Sequence, residues 1–173
     1  MNYFKFYGLK ESLKIDEAEL KQKFYENSKR FHPDFFTLDD VEKQMEALEQ
    51  STYNNTAYKT LIDFERRLHY FLEMKGILSE EGSNQIPQEF LMEMMEVNEA
   101  IMELQFDFNQ DHFSQLFKEL EHAKDQLYKD IKSLIPKASN ELSEEDKQAL
   151  KNYYLKSKYL RRLEDNFEKL GQE

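Results

Sequence analysis

Three prolines divide this chain into helical segments, and each lies at the edge of a helical pattern. Proline lacks a main-chain N–H and its ring clashes with the preceding helical turn, so a helix ends or begins beside it. Pro33 closes the first long pattern, Pro87 stands where a first helical residue belongs, and Pro136 follows the end of another. Only four glycines accompany them. The sequence therefore predicts an all-α protein with long helices and short connections.

The first helix and the turn after it are predicted by local residues. Asp16 and Glu19 have the spacing of a capping box at the start of a helix that continues to Arg30. His32 is forced out of the helical region because it precedes Pro33. A turn is therefore expected at this point.

Two more helices are predicted before residue 75. One begins near Asp39 or Asp40, ends at about Leu61 and forms a hairpin with the first helix. A shorter helix, from Phe64 to Met74, can close a small core. The apolar positions of the longer helix include Val41, Met45, Leu48, Thr52 and Ala57.

The second half of the chain predicts an antiparallel three-helix bundle. Residues 76–86 combine Gly, Ser and Asn, as a linker does. Each of the next three stretches carries one apolar stripe, and the third begins with a capping box at Ser143 and Asp146. The stripe of the first stretch comprises Phe90, Met94, Val97, Ile101, Leu104 and Phe108.

The tripeptide His32-Pro33-Asp34 is the most informative feature of the sequence. A proline-fixed turn holds an imidazole and a carboxylate at one exposed tip, where they can bind a partner with little loss of conformational entropy. Taken alone, the tripeptide fits two residues that merely cap the flanking helices. Its setting, between a basic helix and the segments 55–61 and 66–70, resembles a J domain over about residues 1–75.

The J-domain resemblance implies that the chain binds a DnaK-type (HscA-like) chaperone and activates the ATPase of that chaperone, without being an enzyme itself. Cations on the preceding helix would steer it toward an acidic surface. Many J domains have a basic residue after the aspartate, but Phe35 and Phe36 follow here, which weakens the basic patch. The chaperone-binding residues implied are His32, Pro33, Asp34, Lys21, Lys23, Lys29 and Arg30.

The remainder of the chain resembles the HscB family of co-chaperones, which act in iron–sulfur cluster assembly. The opening Asn2-Tyr3-Phe4, the hinge and the acidic bundle carry this resemblance, which extends to about Phe167. In that family the helix matching residues 90–99 holds an iron–sulfur scaffold protein (IscU-like). Matched residue by residue, the resemblance places scaffold-binding contacts at Leu91, Met92, Met95, Glu96, Glu99, Glu103 and Tyr159.

Residues 87–109 indicate the same surface without the resemblance. They contain six acidic residues and no Lys or Arg. Leu91, Met92 and Met95 are surplus to the apolar stripe, and flexible Met side chains beside carboxylates suit a basic, apolar partner. The alternative is that this helix buries a wider arc between its two neighbours, which would make the three residues additional core.

Charge and composition exclude several classes of function. Residues 1–75 carry 12 Lys/Arg and 14 Asp/Glu (−2), and residues 76–173 carry 12 and 21 (−9), so nucleic acid is a poor ligand. No apolar run reaches the ~18–20 residues that cross a bilayer, and the start lacks a signal or transit pattern. There is no Cys, and His112 and His122 lack the spacing of a metal site. We therefore expect a cytoplasmic protein without cofactor, metal site or catalytic residues.

These observations together predict an L-shaped adaptor. A J domain at 1–75 is joined by a linker at 76–86 to a scaffold-binding three-helix bundle at 87–173. The adaptor would deliver its scaffold to the chaperone and stimulate the ATPase of the chaperone, which aids cluster transfer to iron–sulfur proteins. The same sequence also fits a J-domain adaptor that recruits a different client, or a purely structural interaction bundle.

Overall fold

The structure is a computed structural model that describes residues 2–78 and 84–170. Within those ranges the chain is all-α, as predicted, and its one strand-like contact is an isolated bridge between Ser12 and Ala138. The predicted linker 76–86 falls partly on residues 79–83, which lie outside the described residues. No helix in the described ranges is long and apolar enough to cross a membrane.

The chain divides into two compact units. The first comprises Met1–Met74 together with Pro136–Glu141, and the second comprises Lys75–Ile135 and Leu142–Glu173. The short segment Pro136–Glu141 is an addition to the first unit that the sequence did not predict. It joins that unit because the main-chain N–H and the hydroxyl of Ser139 donate hydrogen bonds to Glu11, in the loop before the first long helix.

The first unit is a helical hairpin with short flanking helices. It contains α1 (Tyr3–Phe6), α2 (Glu17–Arg30), a 3₁₀ turn (Pro33–Phe36), α3 (Val41–Ile62) and α4 (Phe64–Met74). The predicted bounds agree to within one or two residues because capping side chains and Pro33 mark the ends locally.

Capping side chains begin both long helices of the hairpin. Asp16 accepts hydrogen bonds of 2.9 and 3.0 Å from two main-chain N–H groups of the first turn of α2. Glu19, expected to reach back toward Asp16, instead forms an ion pair of 2.6 Å with Lys23. At α3, Asp40 accepts the N–H of Lys43 at 3.0 Å, and this hydrogen bond lowers the pKa of the Asp40 carboxyl.

The buried face of α3 differs from the predicted one. Val41, Met45 and Leu48 are exposed, as is Thr52, so most of the expected apolar stripe faces solvent. Small residues on the opposite side allow α2 and α3 to approach closely, and aromatic rings from α1, α2 and α4 fill the remaining space. The buried residues of α3 are Ala47, Asn54, Ala57 and Leu61.

Asn54 joins three parts of the first unit. Its side-chain nitrogen donates to the main-chain oxygen of Phe24 at 3.2 Å and to the hydroxyl of Ser28 at 3.1 Å, both on α2. Its oxygen atoms accept from the Tyr7 hydroxyl just after α1. Because this buried amide of α3 forms hydrogen bonds to α2 and to the residue after α1, it fixes the relative register of the three parts.

Arg67 of α4 is a second buried polar residue in the first unit. Its Nε donates to the main-chain oxygen of Leu13 at 2.9 Å, and its Nη1 donates to that of Leu61 at the end of α3. Burial lowers the pKa of the Arg67 guanidinium, which nevertheless stays charged at neutral pH. The side chain thereby satisfies carbonyl groups that the C-terminus of α3 leaves open.

The second unit is the predicted three-helix bundle. Its helices are α5 (Gln88–Phe106), α6 (Gln110–Ile131) and α7 (Glu144–Leu170), and all three contact one another. Ser143 and Asp146 form the predicted reciprocal capping box, with two hydrogen bonds of 3.1 Å. The main buried cluster of this unit includes Phe90, Met94, Ile101, Leu104, Leu116, Leu120, Leu127, Leu160, Leu163 and Phe167.

Phe108 does not continue the α5 stripe as predicted. The helix ends at Phe106, and Phe108 lies in the following turn with half of its surface exposed. Its ring packs against Phe113 with centroids 5.5 Å apart, and Phe113 stacks on the buried Phe167 at 4.1 Å. These rings close one end of the bundle.

Candidate functional site

The tripeptide His32-Pro33-Asp34 lies at the tip of the hairpin formed by α2 and α3. Helix α2 ends at Arg30, His32 has extended backbone angles (φ −65°, ψ 123°), and Pro33 begins the 3₁₀ turn. The main-chain N–H of Phe35 donates to the His32 carbonyl at 3.0 Å, which closes this turn. The turn forms where it does because proline excludes a helical continuation.

Both polar side chains of the tripeptide are on the surface. The side chains of His32 and Asp34 are 52% and 83% exposed. The Nδ1 atom of His32 accepts the main-chain N–H of Asp34 at 3.3 Å and lies 3.6 Å from a carboxylate oxygen of Asp34. These contacts orient the imidazole through one ring nitrogen, and the other nitrogen, Nε2, is the atom that can meet a partner.

Phe35 borders the same tip. Its side chain is exposed, and its ring packs edge-to-face against the His32 ring with centroids 5.8 Å apart. The residue that stands where many J domains have a cation therefore contributes an apolar surface beside the imidazole.

The four cations predicted on α2 occupy two sides of the helix. Lys21 and Lys29 are eight residues apart and lie along one ridge, whereas Lys23 and Arg30 are seven apart on another side. Lys23 is paired with Glu19, and the Arg30 guanidinium lies 5.2 Å from the centre of the Phe31 ring. The predicted basic residues thus do not form one continuous patch.

Tyr25 is a surface residue of α2 that the sequence interpretation missed. It lies midway between Lys21 and Lys29 on their ridge, and its ring is exposed. An amphipathic tyrosine between two cations suits a protein-binding surface. Its spacing of four residues from each lysine was visible in the sequence.

The predicted scaffold contacts on α5 share one outer surface. Met92, Met95, Glu96, Glu99 and Glu103 are all exposed, whereas the core stripe of the same helix faces α6 and α7. Met92 and Met95 are therefore not additional core, which was the alternative interpretation. Leu91 is half-buried and lies at the edge of this surface.

Tyr159 of α7 has a different environment. It is half-buried, and its ring packs edge-to-face against the core residue Phe90 with centroids 5.9 Å apart. The structure assigns it packing within the bundle, and its role as a scaffold contact stays a prediction.

Metal-ligating residues do not cluster in the parts of the chain that the structure describes. No group of three or more His, Asp or Glu side chains there could hold a metal ion. His112 and His122 both lie on α6, and the ring of His122 contacts the side chain of Gln126 at 3.4 Å.

Comparison with known proteins adds independent information on both units. Residues 86–168 match the family model described as the HSCB C-terminal oligomerisation domain. A co-chaperone protein HscB homolog of Vibrio cholerae serotype O1 (strain M66-2) is 39% identical over 103 residues, which is 58% of this chain. The match spans 60% of that relative's own length.

Two further comparisons extend over almost the whole chain. A co-chaperone protein HscB homolog of Shewanella sp. (strain MR-4) is 28% identical over 98% of this chain and 97% of its own length. The solved structure of chaperone HscB from Vibrio cholerae superposes with a TM-score of 0.73 at 24% identity, covering 99% of this chain and 98% of that one. The structural likeness shows a shared fold, an N-terminal J domain with a C-terminal helical bundle. Over almost its whole length the chain is similar to co-chaperone proteins of the HscB type.

Proposed function

We propose that this chain is a co-chaperone of iron–sulfur cluster assembly. It binds an iron–sulfur scaffold protein, delivers it to a DnaK-type (HscA-like) chaperone and stimulates the ATPase of that chaperone. Cluster transfer to iron–sulfur proteins is the outcome. The chain itself performs no covalent chemistry, and its proposed location is the cytoplasm.

The observation that carries this proposal is the exposed His32-Pro33-Asp34 turn at the tip of a rigid hairpin. Asn54 holds α2 and α3 in fixed register, so the tip is preorganised before it meets a partner. A preorganised donor and acceptor pair loses little conformational entropy on binding, and more of the contact energy remains available for the complex.

Stimulating an ATPase requires more than tight binding. The chain must bind the transition state for hydrolysis better than the ground state of the chaperone, because equal binding would leave the rate unchanged. The proposal therefore assigns His32 and Asp34 contacts that form or strengthen as the chaperone approaches hydrolysis. Exposed cations of α2, Lys21 and Lys29 above all, assist the encounter.

The second unit holds the scaffold on the outer surface of α5. The carboxylates of Glu96, Glu99 and Glu103 and the apolar side chains of Met92 and Met95 lie together there. This combination binds a surface that is apolar and edged by basic residues. One chain that carries both binding surfaces brings scaffold and chaperone together, which raises their effective concentration.

The test is a reconstitution from three purified components. With the full-length chain, the chaperone should capture the scaffold in ATP, and the chain and scaffold together should accelerate single-turnover hydrolysis more than either alone. Replacement of the scaffold by an unrelated J-domain client serves as control. Stimulation without any preference for the scaffold would support an adaptor for a different client instead, and an absence of stimulation with every client would refute the co-chaperone role.

A further inference from the structure

A second stripe, apolar except for Glu99, runs along the outer side of α5. Met92, Met95, Glu99, Met102 and Phe106 follow one another at spacings of three, four, three and four residues. Such spacings place all five side chains on one face of a helix. The stripe lies opposite the buried residues of the helix, and it spans about 21 Å at 1.5 Å per residue.

The C-terminal half of this stripe is as exposed as the first half. Met102 is 50% exposed and Phe106 is 88% exposed, compared with 62% for Met92 and 59% for Met95. The neighbouring rings of Phe108, Phe113 and Phe117 behave differently. Each packs against another ring at the end of the bundle, whereas the Phe106 side chain is almost fully exposed.

Large apolar side chains in a row on a solvent-facing helix mark an interaction surface more often than isolated ones do. Methionines adapt their shape to a partner, and methionine and phenylalanine are both enriched at protein–protein interfaces. We propose that the scaffold-binding surface extends along the full length of α5, with Met102 and Phe106 as its second half. This inference rests on the proposed function, since the scaffold is the assigned partner.

Charge identifies the chemistry of the partner surface. Glu96, Glu99 and Glu103 are exposed along the stripe, and residues 88–106 contain no Lys or Arg. The matching surface is therefore an apolar ridge about the length of this helix, edged by Lys or Arg residues. A second copy of this chain is a poor occupant, because residues 76–173 carry 12 Lys/Arg against 21 Asp/Glu (net −9) and would oppose like charges.

The experiment is calorimetric titration of the full-length chain with purified, cluster-free scaffold protein. The double variant Met102→Ala/Phe106→Ala should weaken binding at least ~10-fold, the change that corresponds to about 1.4 kcal/mol. Two matched controls should stay within about twofold of wild type, as ordinary surface substitutions do. They are Gln105→Ala, on another side of the same helix, and Met45→Ala, an exposed methionine of α3.

The possible results distinguish a failure of this inference from a failure of the proposed function. If wild type binds the scaffold and Met92→Ala/Glu96→Ala weakens binding while Met102→Ala/Phe106→Ala does not, the surface ends in the first half of α5 and the inference is wrong. If wild type does not bind the scaffold, the proposed function itself fails.

Two further measurements test the assigned occupant. Glu103→Lys should weaken scaffold binding more than Glu103→Gln, and equal effects would contradict a basic partner. Sedimentation of wild type should show a monomer. A dimer that Phe106→Ala dissociates, with scaffold binding unchanged, would assign the stripe to a second copy of the chain and overturn the inference.

Discussion

The Tyr7 hydroxyl lies 2.8 Å from the main-chain oxygen of Asn54 and 2.7 Å from its side-chain oxygen. The single hydroxyl hydrogen is thus within reach of both oxygen atoms, in a buried site. Asn54 uses its side-chain nitrogen to hold α2. The Tyr7–Asn54 contact therefore supports the register of the hairpin that presents His32-Pro33-Asp34.

Tyr7→Phe is expected to destabilise the chain by about 1–3 kcal/mol, because it leaves the buried side-chain oxygen of Asn54 without this donor. Urea unfolding followed by circular dichroism measures this loss. Tyr25→Phe is the matched control, since the Tyr25 hydroxyl is on an exposed residue. An unchanged free energy of unfolding in Tyr7→Phe would contradict the assigned role of the hydrogen bond.

The raised pKa of Tyr7 predicts that the folded state loses stability at alkaline pH. Burial raises the pKa of Tyr7, and the nearby Tyr58 raises it further. The folded state therefore holds this proton more tightly than the unfolded state, whose tyrosine pKa is about 10. The contribution to stability is complete below that pH and decreases as the pH rises above it. Wild type should lose stability more steeply than Tyr7→Phe in this range, and parallel curves would refute the assignment.

Phe35→Lys should lower the concentration of chain that is needed to stimulate the ATPase of the chaperone. The substitution places a cation beside His32 in an exposed position, so steering toward an acidic surface increases while the fold is unchanged. We expect the concentration of chain for half-maximal ATPase stimulation to fall roughly twofold to fivefold at low salt, and the gain to vanish at high salt. Phe35→Ala, which removes the ring without adding charge, is the control. If Phe35→Ala lowers the half-maximal concentration as much as Phe35→Lys does, the added charge is not the cause.

Met92→Ala/Glu96→Ala should weaken scaffold binding by about 1–3 kcal/mol if these side chains are hot spots. Both residues are exposed, so the melting temperature of the bundle should not change. Calorimetric titration with the scaffold measures the binding loss, and stimulation of the chaperone in the absence of scaffold should stay at the wild-type level. Unchanged scaffold binding would make this part of α5 an inert surface.

Local signals made much of the fold predictable from the sequence. The start and end of α2 and the start of α3 follow from Asp16, Pro33 and Asp40, whose effects act within one or two turns. The outer surface of α5 was predictable for a related reason, because a second apolar stripe on one helix exceeds what a single core face can bury.

Long-range packing explains what the sequence did not predict. The buried face of α3 is formed by Ala47, Asn54 and Ala57, and the larger Met45 and Leu48 lie outside it. Periodicity alone favours large apolar residues as core, and it cannot detect that Asn54 is satisfied by atoms 26 to 47 residues away. The carbonyl groups that Arg67 satisfies were invisible for the same reason. At the site, the sequence did not show that Glu19 pairs with Lys23 or that the Phe35 ring packs against His32.

The most direct test of the co-chaperone role is single-turnover ATP hydrolysis by the DnaK-type chaperone with wild type and with His32→Gln. The substituted residue is exposed, so the chain should stay folded with an unchanged melting curve. His69→Gln is the matched control, because His69 is likewise partly exposed and lies 3.4 Å from a carboxylate, that of Glu73. The account predicts that His32→Gln abolishes stimulation while His69→Gln retains it. Full stimulation by folded His32→Gln would contradict the account.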